Sequence, residues 1–129
     1  MTGIDVADRM KEPIVYLQES FTGIANLPSD EVHSYWYSKT RPHIFEINLN
    51  EYDRALTAMH DVINSNGSSS MFYITLPEVL TAIKTIDDAL HDNDGAGASD
   101  IAAQTASNIG KLLNDYQRHV QQEELIIRN

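Results

Sequence analysis

Apolar side chains recur every three or four residues along much of this chain, which is the spacing of one face of an α-helix. The first such run contains Ile14, Val15, Leu17, Phe21 and Ile24. Pro13 lies just before the run, and a first helical turn tolerates its missing N–H group. The pattern therefore predicts a first helix over about residues 13–26.

Two further helices are predicted from residues that favour helix starts. Ser29 follows a break in the pattern and can cap a second helix, which we expect to reach about Ser38. Pro42 should end whatever helix precedes it. Asn50 can cap a third helix, with two acidic residues in its first turn. The apolar face of that third helix would carry Tyr52, Leu56, Met59 and Ile63.

The last two predicted helices lie in the second half of the chain. Thr75 and Glu78 have the spacing of a capping box, which predicts a fourth helix. Its inward positions would be Leu76, Val79, Leu80, Ile83, Ile86 and Leu90. After a loop at 92–98, Ser99 can cap a long final helix that reaches about Leu125.

The final helix carries a stripe whose steps alternate between four and three residues, as in a coiled coil. The stripe consists of Ala102, Ala106, Ile109, Leu113, Tyr116 and Val120. Such a stripe serves either the core of the domain or the seam of a homodimer. A homodimer through this helix is therefore one of the partner predictions.

Two short segments also fit β-strands. Residues 45–49 alternate apolar and polar side chains, and residues 71–74 are apolar and β-prone. Because a helix would join them, they would pair in parallel, and a parallel pair alone is poorly stable. The fold prediction is a mainly α-helical bundle of four to five helices, forming a single domain over residues 1–129. The two-stranded element is kept as a minor addition.

The composition supports a folded domain and excludes chemistry that depends on cysteine. The 129 residues are 42% hydrophobic and 22% charged, far from the composition of disordered chains. Cysteine is absent, which excludes disulfides, thiolate catalysis and zinc sites built on Cys. No apolar stretch approaches the length of a membrane span, and the amino terminus has no signal-peptide pattern. We expect a cytoplasmic protein.

The charge balance is strongly acidic. Nineteen Asp and Glu oppose nine Lys and Arg, for a formal charge of -10. Such a field repels phosphate backbones and anionic membranes and favours basic partners. We therefore expect another protein as the partner, with neither nucleic acid nor membrane bound directly. The one dense acidic cluster consists of Asp87, Asp88, Asp92 and Asp94.

No motif predicts a catalytic residue, a metal ligand or a cofactor. The acidic loop fails as an EF-hand, because the first and twelfth ligand positions would be Leu90 and Ile101. Gly95 and Gly97 lack the strand, the third glycine and the lysine of a phosphate-binding loop. The histidines do not complete the ligand set of a four-helix di-metal site. No nucleophile elbow of the form Gly-x-Ser-x-Gly occurs.

An aromatic cluster is the strongest candidate for recognition. Tyr35, Trp36 and Tyr37 are consecutive, and Arg41 follows. Successive residues on a helix point about 100° apart, so at least one of the three rings should reach the surface. Trp, Tyr and Arg are enriched at binding hot spots. We predict a recognition patch from these four residues, with a core anchor as the alternative role for Trp36.

These features rank the functional hypotheses. The first is a small acidic protein-binding module without catalytic activity, in the role of an inhibitor, immunity-type protein, adaptor or chaperone. Its contact surface would combine the aromatic cluster with the four aspartates. The alternatives are a nucleic-acid-mimicking inhibitor of a DNA-binding protein, a small ligand-binding bundle or enzyme, and a self-assembling structural protein.

Overall fold

The chain forms a bundle of helices. A computed structural model describes the backbone of residues 3–64 and 74–128, and the side chains of residues 9–64 and 74–121. The helices are α1 (Gly3–Ala25), α2 (Ser29–Tyr35), α3 (Arg41–Ile44), α4 (Leu49–Asn64), α5 (Leu76–His91) and α6 (Gly95–Arg128). A π-helical turn, Trp36–Thr40, joins α2 to α3 and makes residues 29–44 one continuous helix. The predicted mainly α-helical bundle is confirmed.

Helices α1 and α6 pack against each other more extensively than any other pair and run antiparallel. Three hydrogen bonds tie them along their length: Lys11 to Gln117, Gln18 to the Ala106 carbonyl, and Ser99 to the Ala25 carbonyl. Small residues of α6, among them Ala98 and Ala102, are buried in the core. The remaining helices pack around this pair.

Periodicity predicted the buried faces of the helices well. The predicted face of α4 is fully buried. On α5, Val79, Ile83, Ile86 and Leu90 are buried, whereas Leu76 and Leu80 are partly buried at the edge of the core. Four members of the α6 stripe, Ala102, Ala106, Ile109 and Tyr116, are buried inside this chain's own core. The stripe therefore contributes to the domain interior.

The amino-terminal ends of three helices, α1, α4 and α6, differ from those predicted from the sequence. Helix α1 begins at Gly3, and Pro13 lies inside it. At the start of α4, the Asn50 N–H donates to Oδ1 of Asn48, so Asn48 is the capping side chain. At the start of α6, Asp94 accepts a hydrogen bond from the Gly97 N–H at 2.8 Å.

Two predicted caps and one predicted strand are also corrected. Ser29 is the first residue of α2, and Ser99, predicted to cap α6, hydrogen bonds to α1 instead. The strand predicted at 45–49 is wrong: the chain turns after Ile44, and α4 begins at Leu49. This turn is held by the Tyr52 hydroxyl, which donates to the Ile44 carbonyl at 2.7 Å. Of the other predicted strand, residues 71–73 lie outside the described residues.

Pro42 was expected to end the preceding helix, but it lies inside the continuous helix over residues 29–44, whose π-helical turn keeps one row of buried residues toward the core. Four buried residues, Val32, Trp36, Thr40 and Ile44, follow one another at intervals of four. In an ideal α-helix such a row rotates by about 40° at each step. The Arg41 N–H instead donates to the Trp36 carbonyl, five residues back, which adds a residue to one turn. The wider turn keeps the row facing the core.

Candidate protein-binding surface

The continuous helix over residues 29–44 exposes a row of side chains on each side of its buried row. Residues directly before and after a buried position point about 100° to either side of it. The α5-side row consists of His33, Tyr37 and Arg41, and the α1-side row consists of Tyr35, Lys39 and His43. Within the described side chains, the exposed large hydrophobic residues are Tyr35, Tyr37 and Phe45, each about 40% accessible. All three lie on this helix or in the turn after it.

Trp36 belongs to the buried row and has no exposed surface. Its indole Nε1 donates to Oδ1 of Asp87 at 2.7 Å, and its ring stacks on Phe21 with a centroid distance of 6.4 Å. Trp36 therefore offers no surface to a partner in the folded chain and lies in the core, as the alternative role for this residue requires.

Asp87 connects the continuous helix to α5. Besides the Trp36 indole, it accepts hydrogen bonds from Nε of Arg41 at 3.2 Å to Oδ1 and 3.1 Å to Oδ2. The Asp87 side chain is only 23% exposed. The structure thus brings together three predicted site residues from two distant parts of the sequence. The Arg41 guanidinium also lies 5.2 Å from the centroid of the Phe45 ring.

Tyr37 presents both an apolar ring and a hydroxyl group beside this cluster. Partial burial raises the pKa of the Tyr37 hydroxyl, the negative charge of Asp87 raises it further, and Arg41 lowers it. The phenol therefore remains protonated at neutral pH and can donate a hydrogen bond. On its other side, the ring lies 5.0 Å from the His33 ring.

The other predicted aspartates have separate roles. Asp88 forms an exposed ion pair with Lys84 at 3.1 Å. Asp94 caps α6, and Asp92 is exposed at the end of α5. Asp87 contacts the aromatic helix through its hydrogen bonds to Trp36 and Arg41, whereas Asp88 and Asp94 are engaged elsewhere in the chain.

A groove runs between α1 and the α1-side row, and we call it the α1 groove. It has a volume of about 560 Å³, and its lining includes Tyr16, Glu19 and Gly23 from α1 and Tyr35 and Lys39 from the continuous helix. The Lys39 ammonium lies 5.6 Å from the centroid of the Tyr35 ring. An aromatic ring therefore already holds a cation in this groove.

The far end of the α1 groove is built around His43. The Tyr16 and His43 rings have a centroid distance of 4.5 Å, and the Tyr16 hydroxyl donates to the His43 carbonyl at 3.2 Å. Nδ1 of His43 lies 3.3 Å from a carboxylate oxygen of Glu46. Partial burial, followed by the charge of Glu46, raises the pKa of Tyr16. Sequence reasoning missed this groove, although Tyr35, Lys39 and His43 repeat every four residues.

No group of three or more His, Asp or Glu side chains among the described residues is arranged to hold a metal ion. No helix in the same part of the chain is long and apolar enough to cross a membrane. Comparisons with protein-family models, with curated proteins and with solved structures find no match.

Proposed function

We propose that this chain is a small acidic protein-binding module without catalytic activity, which inhibits, shields or adapts a partner protein. Its contact surface would be the exposed side of the helix over residues 29–44 and the turn that follows. The observation that carries the proposal is the clustering within this one segment of Tyr35, Tyr37 and Phe45, the exposed large hydrophobic residues among the described side chains.

The physical support is that these rings are already held in place. Lys39 lies over Tyr35, Arg41 lies over Phe45, and the His33 ring packs beside Tyr37. Rigid aromatic side chains lose little conformational entropy on binding, which makes them effective anchors. The helix beneath them is fixed by Trp36 in the core.

The charge distribution supports a basic partner. The formal charge of -10 would attract such a protein and speed its association. Two surface cations are engaged within the chain, Arg41 with Asp87 and Lys84 with Asp88. A nucleic-acid mimic would instead need an extended row of carboxylates free to imitate phosphates. The engagement of Asp87, Asp88 and Asp94 within the chain favours protein recognition over mimicry.

The test is affinity purification from a lysate of the source cells, with bound proteins quantified by mass spectrometry. The wild type is compared with a triple variant, Tyr35→Ala/Tyr37→Ala/Phe45→Ala. The matched control, Thr57→Ala/Gln104→Ala/Asn114→Ala, changes three exposed residues elsewhere without changing the charge. Circular dichroism verifies that all three proteins are folded.

We expect a stoichiometric partner that the wild type and the control retain and the aromatic variant loses. Binding should also weaken at high salt, because charge attraction between exposed groups is screened. Equal recovery of every bound protein by all three forms would overturn the proposal.

A further inference from the structure

Gly23 is a glycine that the fold itself does not require. It lies inside α1, and a Cβ atom added there would meet nothing within 4 Å. At Gly95, by contrast, a Cβ atom would overlap the Ser29 carbonyl oxygen. A helix with glycine at an interior position is less stable than one with alanine there, because glycine gives the unfolded chain more conformational freedom to lose on folding. A glycine without a packing role is consistent with close approach of a bound molecule.

Gly23 lines the α1 groove, so the open space above it belongs to that groove. A chain crossing α1 at this point could bring its backbone close to the helix, which a side chain at residue 23 would prevent. Tyr16 and Tyr35 stand in the same groove as aromatic walls. The shape therefore suits an extended segment of polypeptide.

The charges of the α1 groove indicate which segment would bind. Its lining includes two carboxylates, Glu19 and Glu46, and the Lys39 ammonium. The Glu19 carboxylate makes no hydrogen bond or ion pair with the side chains that the structure describes, whereas Lys39 lies over Tyr35. The groove thus offers a cation the Glu19 carboxylate, and the Glu46 carboxylate that lies beside His43, within a chain of charge -10.

We propose that the α1 groove binds an extended segment of the partner protein that contains lysine or arginine. The segment's backbone crosses α1 at Gly23, and its cationic side chains reach Glu19 and Glu46. This inference rests on the proposed function, since it defines the chemistry of the partner. An acidic segment would be repelled, and an apolar helix would bury the groove's carboxylates without a counter-charge.

The first test measures binding of a short unstructured peptide of alternating lysine and serine, followed by NMR on the isotope-labelled full chain. We expect the largest shifts at Gly23, Tyr16 and Tyr35. Glu19→Gln/Glu46→Gln should weaken binding about three- to tenfold, as expected for two exposed ion pairs. The control Asp53→Asn/Asp61→Asn has the same net charge, and its affinity should stay within about twofold of the wild type. Equal weakening by both pairs, or shifts confined to another surface, would overturn the proposal.

The second test fills the groove without disturbing the fold. Gly23→Met places a side chain in open space, so the variant should melt at or above the wild-type temperature. It should nevertheless bind the lysine peptide at least about tenfold more weakly. Thr22→Met, at the neighbouring exposed position of α1, should bind as the wild type does. Wild-type affinity in Gly23→Met would overturn the groove assignment.

Retention of the cellular partner by the variants distinguishes failure of the groove assignment from failure of the proposed function. If Gly23→Met retains the partner that the aromatic variant loses, the groove assignment fails and the proposed function stands. If neither variant loses any partner, the proposed function fails. Loss of the same partner from both variants, with retention by Thr22→Met, is the expected result.

Discussion

Asp87 and Asp88 are adjacent residues with the same side chain and different surroundings. Asp87 is 23% exposed and accepts hydrogen bonds from the Trp36 indole and from Arg41. Asp88 is 67% exposed, and its carboxylate pairs with the flexible end of Lys84. Their contributions to stability should therefore differ, since hydrogen bonds to a charged, half-buried group are stronger than exposed ion pairs.

We predict that Asp87→Asn lowers the free energy of unfolding by about 1.5–3 kcal/mol, because the indole and guanidinium groups lose a charged acceptor. Asp88→Asn should change it by no more than about 0.5 kcal/mol. Urea denaturation followed by the fluorescence of the single tryptophan measures both values. Similar losses from the two variants would contradict the assignment of Asp87 as the link between the helices.

His60 should make stability depend on pH. Burial lowers the pKa of His60 below its usual value of 6.5, while a hydrogen bond to the Ile74 backbone and the charges of Asp61 and Glu78 raise it in part. The unfolded chain therefore binds this proton at a higher pH than the folded chain does. In the window between the folded and unfolded pKa values the unfolded chain holds more protons, so stability rises with pH.

We predict that the free energy of unfolding falls as the pH is lowered through about 6.5, and that His60→Gln removes part of this fall. Denaturation curves collected between about pH 7.5 and 5.5 test this, since other titrating groups are common to both proteins. Identical pH dependence of the wild type and the variant would contradict the prediction.

Two glycines show how helix packing decides whether a glycine-to-alanine substitution raises or lowers the free energy of unfolding. Gly95→Ala should lower the free energy of unfolding by about 1–3 kcal/mol, because its methyl group would force α6 away from the Ser29 carbonyl. Gly23→Ala should raise it by about 0.5–1 kcal/mol, since the methyl group enters open space. Thermal melts of the two variants test the opposite signs. A loss of stability in both would mean that residue 23 is packed in solution.

The faces of the helices could be predicted from sequence, whereas their ends could not. Tyr52, Leu56 and Ile63 fall on one face because burial follows the helical period. Pro13 was expected at a helix start, but the burial of Ile14 and its apolar neighbours offsets the cost of a proline inside α1. Local cap signals are similarly ambiguous, since Asn48 and Asn50 are equally suitable residues two positions apart.

The sequence identified candidate residues of the surface, but it did not predict which of them contact one another. Residue type alone identified Tyr37, Arg41 and Asp87, but the contact between Arg41 and Asp87 spans 46 positions and depends on how the helices pack. The burial of Trp36 could have been inferred from the row that repeats every four residues. The α1 groove could not, because it exists only where α1 lies beside the helix over residues 29–44.

At the scale of the whole molecule, salt should affect stability and binding in opposite directions. Because the formal charge is -10, the excess negatively charged side chains repel one another across the surface, and salt screens that repulsion. We predict that the melting temperature rises between low salt and about 0.15 M NaCl, while affinity for the lysine peptide falls. Thermal melts and peptide titrations over the same salt series test this. A melting temperature that falls with salt would show that local ion pairs outweigh the net repulsion.

The pairing of α1 with α6 also sets an order of events during protein synthesis. Helix α1 buries Ile14, Leu17 and Phe21 and is made before the other described helices, yet α6, against which it packs most extensively, is the last of these helices to be made. Contacts between such distant segments form late, because a long loop must close first. Until α6 has been synthesised, the apolar side of α1 therefore lacks its main cover. The described bundle can therefore become complete only after α6 has emerged from the ribosome.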